Sequence, residues 1–285
     1  VASAKEIRGQ IKAIQNTAKI TKAMEMVAAS KMRKAQDRVT AGRAYAEGIK
    51  RVVANLMQAH PEYKHPFVVE REQIKRVGVI LVNTDKGLCG GLNSNAQRVA
   101  LNLVKDSAVP VEAYSIGRRA GQFMRKVVDD LRASEEEIPD ATELSDVLGV
   151  VTVAMDRYIK GEVDEVTLIF TEFVNTMTQT PVKIQLLPCA SSIEPSHPGY
   201  WDYIYEPDSK DVLDGLLRRY VESLVYHAVL ENKACEHSAR MVAMKSATDN
   251  AKEIAHDLKI TYNKARQAGI TQEIAEICSG AASAA

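Results

Sequence analysis

Proline is missing from both ends of this 285-residue chain: all nine fall between Pro61 and Pro207, so the strongest helix breaker acts only on the middle. Cysteine is scarce. Cys89, Cys189, Cys235 and Cys278 form no C-x-x-C pair, which excludes zinc and disulfide scaffolds and favours free thiols in a reducing compartment. Neither sign of charge is in excess, with 37 Lys+Arg against 37 Asp+Glu, so the chain as a whole is neither a nucleic-acid polycation nor an acidic tail. No uncharged apolar run approaches the ~20 residues of a membrane span. The start VASAKEIRGQ has no apolar h-region, so no secretory signal is expected, and Val1 in place of Met suggests a removed initiator.

What is present divides the chain at 1–60, 61–210 and 211–285. The first segment is rich in helix formers, and the last is almost free of glycine. As helices they would run roughly 85 and 100 Å. Apolar residues in the first recur at Ile7, Ile11, Ile14, then Ile20, Met24, Val27, then Met32, Ala35, Val39, which reads as a narrow seam with stutters. The last repeats the habit at Leu213, Leu217, Tyr220, Leu224, at Cys235, Ala239, Val242, at Ala251, Ile254, Leu258 and at Ile270, Ile274, Ile277. Two matching seams around a compact middle predict a long antiparallel coiled coil of the N- and C-terminal helices.

The middle alternates. Ile74–Val82, Val109–Ile116, Val163–Phe173 and Val182–Leu187 read as strands, and Ser94–Lys105, Arg118–Val128 and Glu143–Lys160 as helices, which predicts a central Rossmann-like α/β domain. The acidic stretch Asp129–Asp146 reads as a solvated loop and helix start.

Motifs for chemistry are wanting. The turn at Gly87, Gly90 and Gly91 sits where such a sheet cradles a phosphate, yet it has neither G-x-G-x-x-G spacing nor a P-loop Gly-Lys-Ser/Thr, so backbone geometry explains its glycines better. Cys89 has no neighbouring His or cation in sequence to lower its pKa and reads as an inert or merely reactive surface thiol. The six histidines make no H-E-x-x-H and no i, i+4 pair, and no G-x-S-x-G occurs. Neither a catalytic residue, a cofactor nor a metal is implied. Charge is nonetheless uneven: residues 1–60 carry twelve Lys and Arg against four acids, a net +8. Tyr45 is the only aromatic before Tyr63, which disfavours nucleic acid and leaves an acidic protein surface as the partner.

Three blocks, KITKAMEMVAASKMRKAQ at 19–36, DKGLCGGLN at 85–93 and ITQEIAEICSGA at 270–281, with WDYIYEPD at 201–208, resemble the gamma-subunit family of the F-type ATP synthase, bacterial type. The resemblance covers essentially the whole chain. It lacks the inserted segment with two nearby cysteines of the chloroplast type. It implies a non-catalytic rotor shaft that couples rotation of a membrane ring of c subunits to conformational cycling of the catalytic beta subunits. It further implies alpha, beta and epsilon partners and a peripheral place on the cytoplasmic face of the bacterial inner membrane. Met24, Lys31, Arg33 and Lys34 would face the acidic foot of a beta subunit, with the turn residues Lys86, Gly87, Leu88 and Cys89 close by. Thr271, Gln272, Glu273 and Glu276 would form a contact band on the last helix, and WDYIYEPD would face epsilon and the c ring. Met24 is open to a second reading, as a seam residue. Two other classes also remain open on the residues alone: an α/β enzyme with a helical oligomerisation arm, its site at Cys89 or the glycine turn, and a coiled-coil scaffold with no rotary role.

Overall fold

A computed structural model describes residues 4–59, 65–189 and 209–284. In chain order these form α1 (Ala4–Ala59), β1 (Val77–Val82), α2 (Leu92–Asp106), β2 (Val111–Ile116), α3 (Arg118–Val127), β3 (Leu131–Glu135), α4 (Ser145–Ile159), β4 (Glu165–Phe173), β5 (Gln179–Leu187) and α5 (Ser209–Ala284). The expected α/β sheet between two long helices is therefore present. The chain separates into two compact units, a larger one spanning 29–239 and a smaller one made of 1–28 and 240–285.

In the larger unit one sheet runs in the order β3-β2-β1-β4-β5, parallel except for β5. β1, VGVILV, is buried at every position, as a central parallel strand covered on both faces must be. Val77, Val79 and Leu81 of β1 pack with Ala96 and Ala100 of α2 and Ala120 and Met124 of α3. On the opposite face Ile80 and Val82 meet α4 through Val147, Val151 and Met155, the end of α1 at Val53 and Ala54, and α5 from Leu213 to Val229. Full burial of each such aliphatic side chain contributes roughly 1.5–3 kcal/mol.

β3 corrects the expectation of a solvated loop over 129–146. Leu131–Glu135 pairs in parallel with β2, with a register shift between Ala113 and Tyr114, whereas the helix start expected in the same stretch is found, α4 beginning at Ser145. An edge strand is half-buried and tolerates charge, which blunts the free edge against other chains, so its acids hid it from a reading by hydropathy. Gly117, after β2, is the one glycine among the described residues at which an added side chain would collide with backbone. Its φ is 94°, and an added Cβ would stand 2.2 Å from the Asn83 carbonyl oxygen.

In the smaller unit the seam is tighter than the sequence suggested. Buried and half-buried positions on α1 fall at Ile7, Ile11, Ile14, Ala18, Thr21, Glu25 and Ala28, and on the same helix the alternation of fours and threes continues to Met32, Ala35 and Val39 without a stutter. On α5 they fall at Met241, Met244, Thr248, Ala251, Ala255, Leu258, Tyr262 and Ala265. The apparent stutters came from following the large residues: Ile20 is 61 % exposed, Val27 55 % and Ile254 49 %. At those points small residues occupy the seam instead, Thr21, Ala28 and Ala255, and the Thr21 and Thr248 hydroxyls meet across it at 2.7 Å. Seventeen residues before Thr21 is Ala4, the first described residue of α1, and seventeen after Thr248 is Ala265, the last half-buried residue of α5 among its described side chains. Ile270, Ile274 and Ile277 lie beyond that register and are exposed, so they are not part of a seam within the described residues.

Beneath the amino ends of the strands Glu112, fully buried, accepts two hydrogen bonds from Arg157 at 2.9 and 2.8 Å and one from the Tyr114 hydroxyl. Burial raises its pKa, but Arg157, Tyr114 and Arg132 together outweigh that and hold it below the ordinary carboxylate value. Asp164 is also held low: burial opposes it, but the amides of Lys75 and Arg76 and the Arg71 guanidinium win. Because both folded pKa values lie below the unfolded ones, the stabilisation is complete above the unfolded values of ~4 and lost as pH falls through the folded ones. Denaturant titration should therefore show stability declining below about pH 4. Glu112→Ala should cost ~3–5 kcal/mol at pH 7 by removing the buried carboxylate that Arg157 shares with Arg76 and Arg132, leaving Arg157 only Glu162, and the Glu112→Leu/Arg157→Met double variant should recover part of it.

Candidate functional site

In an open α/β sheet of this order, ligands bind outside the carboxyl ends of the strands where the order reverses, here between β1 and β4. That crevice is taken up by α5. Every residue from Ala228 to Ala239 is buried, although half of that stretch is polar. Several polar groups of this stretch have a specific partner on the sheet side, whereas the buried Asn232 Oδ1 has no hydrogen-bond partner among the described residues. The Phe173 amide donates to Glu231 Oε2 at 2.7 Å, Ser238 Oγ donates to the Thr176 carbonyl at 2.7 Å, and Lys233 Nζ donates to the Ile138 carbonyl at 2.8 Å. Cys235 donates its thiol hydrogen to the Thr171 carbonyl at 3.4 Å. On the other side of α5, Leu230 and Ala234 pack on Ala35 and Val39 of α1, and Arg43 reaches Glu231 at 3.4 Å.

The glycine-rich turn after β1 is the floor of this arrangement. Thr84 Oγ1 donates to the Lys86 carbonyl at 2.6 Å, and Asn93, at the start of α2, returns its side chain to Thr84 and to Cys89 Sγ. Asp85 Oδ1 accepts from the amides of Arg118 and Glu137 at 2.8 and 3.0 Å, tying the turns after β1, β2 and β3 together. Leu88 adopts φ 63°, a conformation rare for a side-chain-bearing residue, and is 61 % exposed. The turn thus holds an apolar side chain outward at some backbone cost. Cys89 corrects the expectation of a surface thiol: it is buried against Leu92, Cys235 and Ala239, because the helix that fills the crevice covers it.

The other residues singled out in the sequence divide between the units. Met24 is half-buried in the smaller unit, flanking the seam at Thr21, Glu25 and Ala28. Thr271, Gln272, Glu273 and Glu276 are exposed there, with Gln272 donating to Glu276 at 2.9 Å. In the larger unit Arg33 and Lys34 are exposed, as is Lys86, whereas Lys31 Nζ is 2.6 Å from Asp140 Oδ2 of the same chain. Gly87 is half-buried, with Arg119 Nη2 3.1 Å from where a Cβ would stand. WDYIYEPD lies outside the described residues. Asp85, Asp140, Glu231 and Lys233 were missed as organising residues. Asp85 sits inside the DKGLCGGLN block, but nothing in the acidic run distinguishes Asp140 from its neighbours.

A family model described as ATP synthase matches residues 3–284. The ATP synthase gamma chain of Thiobacillus denitrificans is 52% identical over 288 residues, covering 99% of both chains, and that of Aromatoleum aromaticum is 53% identical over 287 residues with the same coverage. Among solved structures, a chain of the Tetrahymena thermophila mitochondrial ATP synthase central stalk and c-ring is 26% identical with a TM-score of 0.63, covering 80% of this chain and 99% of that one.

The burial pattern generates a thiol test. Burial pushes the Cys189 thiol up to about 12 and raises that of Cys235 further, while Cys278 is exposed. The folded, isolated chain should react with one equivalent of a thiol-disulfide reagent quickly and with three more only after unfolding. A second fast thiol that vanishes on Cys89→Ser would show that α5 does not stay seated.

Proposed function

The chain belongs to the ATP synthase gamma-chain family, and from that premise we propose that it is the non-catalytic central rotor shaft of a proton-translocating ATP synthase. The observation that carries the reading is the use of the sheet's ligand crevice to hold a helix: α5 occupies it and is itself one uninterrupted helix from Ser209 to Ala284. A fold that elsewhere binds a nucleotide here grips a rod. Rotation of a c ring would present different faces of that rod to each beta subunit, and differential contacts would shift each beta subunit between open and closed nucleotide states. The chain's partners on this reading are alpha, beta and epsilon subunits and the c ring. Its place is peripheral, on the cytoplasmic face of the bacterial inner membrane; no helix described is long and apolar enough to cross one.

On the same reading Arg33 and Lys34, exposed and without an acidic partner among the described residues, face an acidic beta surface. Lys31 shares that surface with its half-exposed partner Asp140. Leu88, with Lys86, Gly87 and the buried Cys89 shaping its turn, supplies an apolar contact. Thr271, Gln272, Glu273 and Glu276 form the band at the far end of α5, beside the exposed Ile270, Ile274 and Ile277.

Reconstitution of alpha and beta subunits with and without this chain tests the reading, with ATPase activity expected to depend on its presence. Met24 sharpens it. Met24→Lys adds an ammonium beside an acidic partner at some rotary angles only, and a dwell stabilised by ~1.4 kcal/mol slows its escape about tenfold. Vesicles carrying Met24→Lys should hydrolyse ATP but acidify less per ATP, while Met24→Leu should be nearly silent. An unchanged ratio in Met24→Lys would remove Met24 from the contact surface.

A further inference from the structure

The turn between β3 and α4, residues 136–144, touches both long helices through polar groups. From α1, Lys31 Nζ meets Asp140 Oδ2 at 2.6 Å and Arg38 donates to the Asp140 carbonyl. From α5, His237 Nε2 lies 3.4 Å from Asp140 Oδ1, Lys233 donates to the Ile138 carbonyl at 2.8 Å, and the Tyr226 hydroxyl donates to the Thr142 carbonyl at 3.1 Å. Lys31 and Arg38 are two helical turns apart, as are Tyr226 and Lys233, so each helix presents one face to the turn. The turn is itself braced: Glu137, at φ 62°, gives its amide to Asp85, and Thr142 Oγ1 donates to the Pro139 carbonyl at 2.7 Å.

Apolar packing between helices and sheet is non-directional and resists separation better than sliding or twisting. Hydrogen bonds to charged groups have preferred geometry and resist both. We infer that Asp140 is a positioning residue, the centre of a clamp that locks α1 and α5 to the α/β sheet so that torque applied to the sheet reaches the helices without slip. This rests on the rotor reading for its purpose but not for its geometry. The pair Lys31–Asp140 is about half exposed, with side-chain exposures of 42 % and 50 %, so loss of the carboxylate should leave the fold intact.

Two measurements on the full chain separate the clamp from the rotor. In the first, spin labels are placed at Arg33→Cys on α1 and Asn102→Cys on α2, both exposed, in a Cys278→Ser background. Pulsed-EPR distance distributions should be narrow with Asp140, broaden with Asp140→Ala and narrow again with Asp140→Glu. A distribution unchanged in Asp140→Ala overturns the clamp, whatever the chain does in a complex. Should Asp140→Ala not fold, the Lys31→Gln/Arg38→Gln pair removes the α1 arm from the other side and is expected to broaden the distribution in the same way. In the second, membrane vesicles carrying the assembled complex are assayed for ATPase and acidification together. Asp140→Ala should lose acidification per ATP hydrolysed several-fold relative to the unsubstituted chain as the opposing gradient builds, with Asp140→Glu restoring the ratio. Broadening without that loss overturns the mechanical role. Failure of the unsubstituted chain to couple at all counts against the rotor reading, while the first measurement still decides the clamp.

Discussion

Burial of a polar stretch of helix governs this molecule. About three turns of α5, from Ala228 to Ala239, are enclosed on every side, and Glu231, Lys233, His237 and Ser238 go with them. Such groups are costly to bury unless each finds a partner, so the sheet must present the right carbonyls and amides at the right places. The Phe173 amide, the Thr176 carbonyl and the Ile138 carbonyl do so. This requirement fixes the helix axially as well as sideways. An apolar helix in the same crevice could slip by a turn, whereas one that slipped here would strand several buried polar groups at once.

The same constraint accounts for the shape of the turn after β1. Its backbone must pass beneath α5 and still reach α2, and it buries the small Cys89 side chain against Leu92, Cys235 and Ala239. Asp85 then gathers the amides of the two neighbouring turns, so three loops that would move separately at the rim of a sheet are joined through one carboxylate. Where relatives of this topology leave a cleft for a ligand, the cleft has become a bearing surface for the chain's own last helix.

Much of this was legible in the sequence. The Pro-free ends, the runs IKRVGVILV and VDEVTLIFTEF and the turn between the first strand and helix gave helices and strands of the correct kind in the correct order. What escaped has physical causes. The seam was misread because Ile20, Val27 and Ile254 are larger than the Ala and Thr that occupy it, and hydropathy rewards size where close helix approach demands the opposite. β3 was lost because an edge strand pays little for charge. The polar partners of α5 were invisible because they are mostly main-chain groups, which every sequence possesses and none displays.

The pairing of Thr21 with Thr248 joins residues 227 positions apart. At ~5–20 residues per second of synthesis, α1 waits roughly ten to fifty seconds with its seam uncovered before the matching part of α5 has been made. During that interval Ile7, Ile11 and Ile14 face solvent or whatever else is near. The smaller unit is therefore among the last parts of the nascent chain to close. The sheet, whose β1 to β5 lie within 77–187, has all of its strands in hand well before then and provides the surface on which α5 is received.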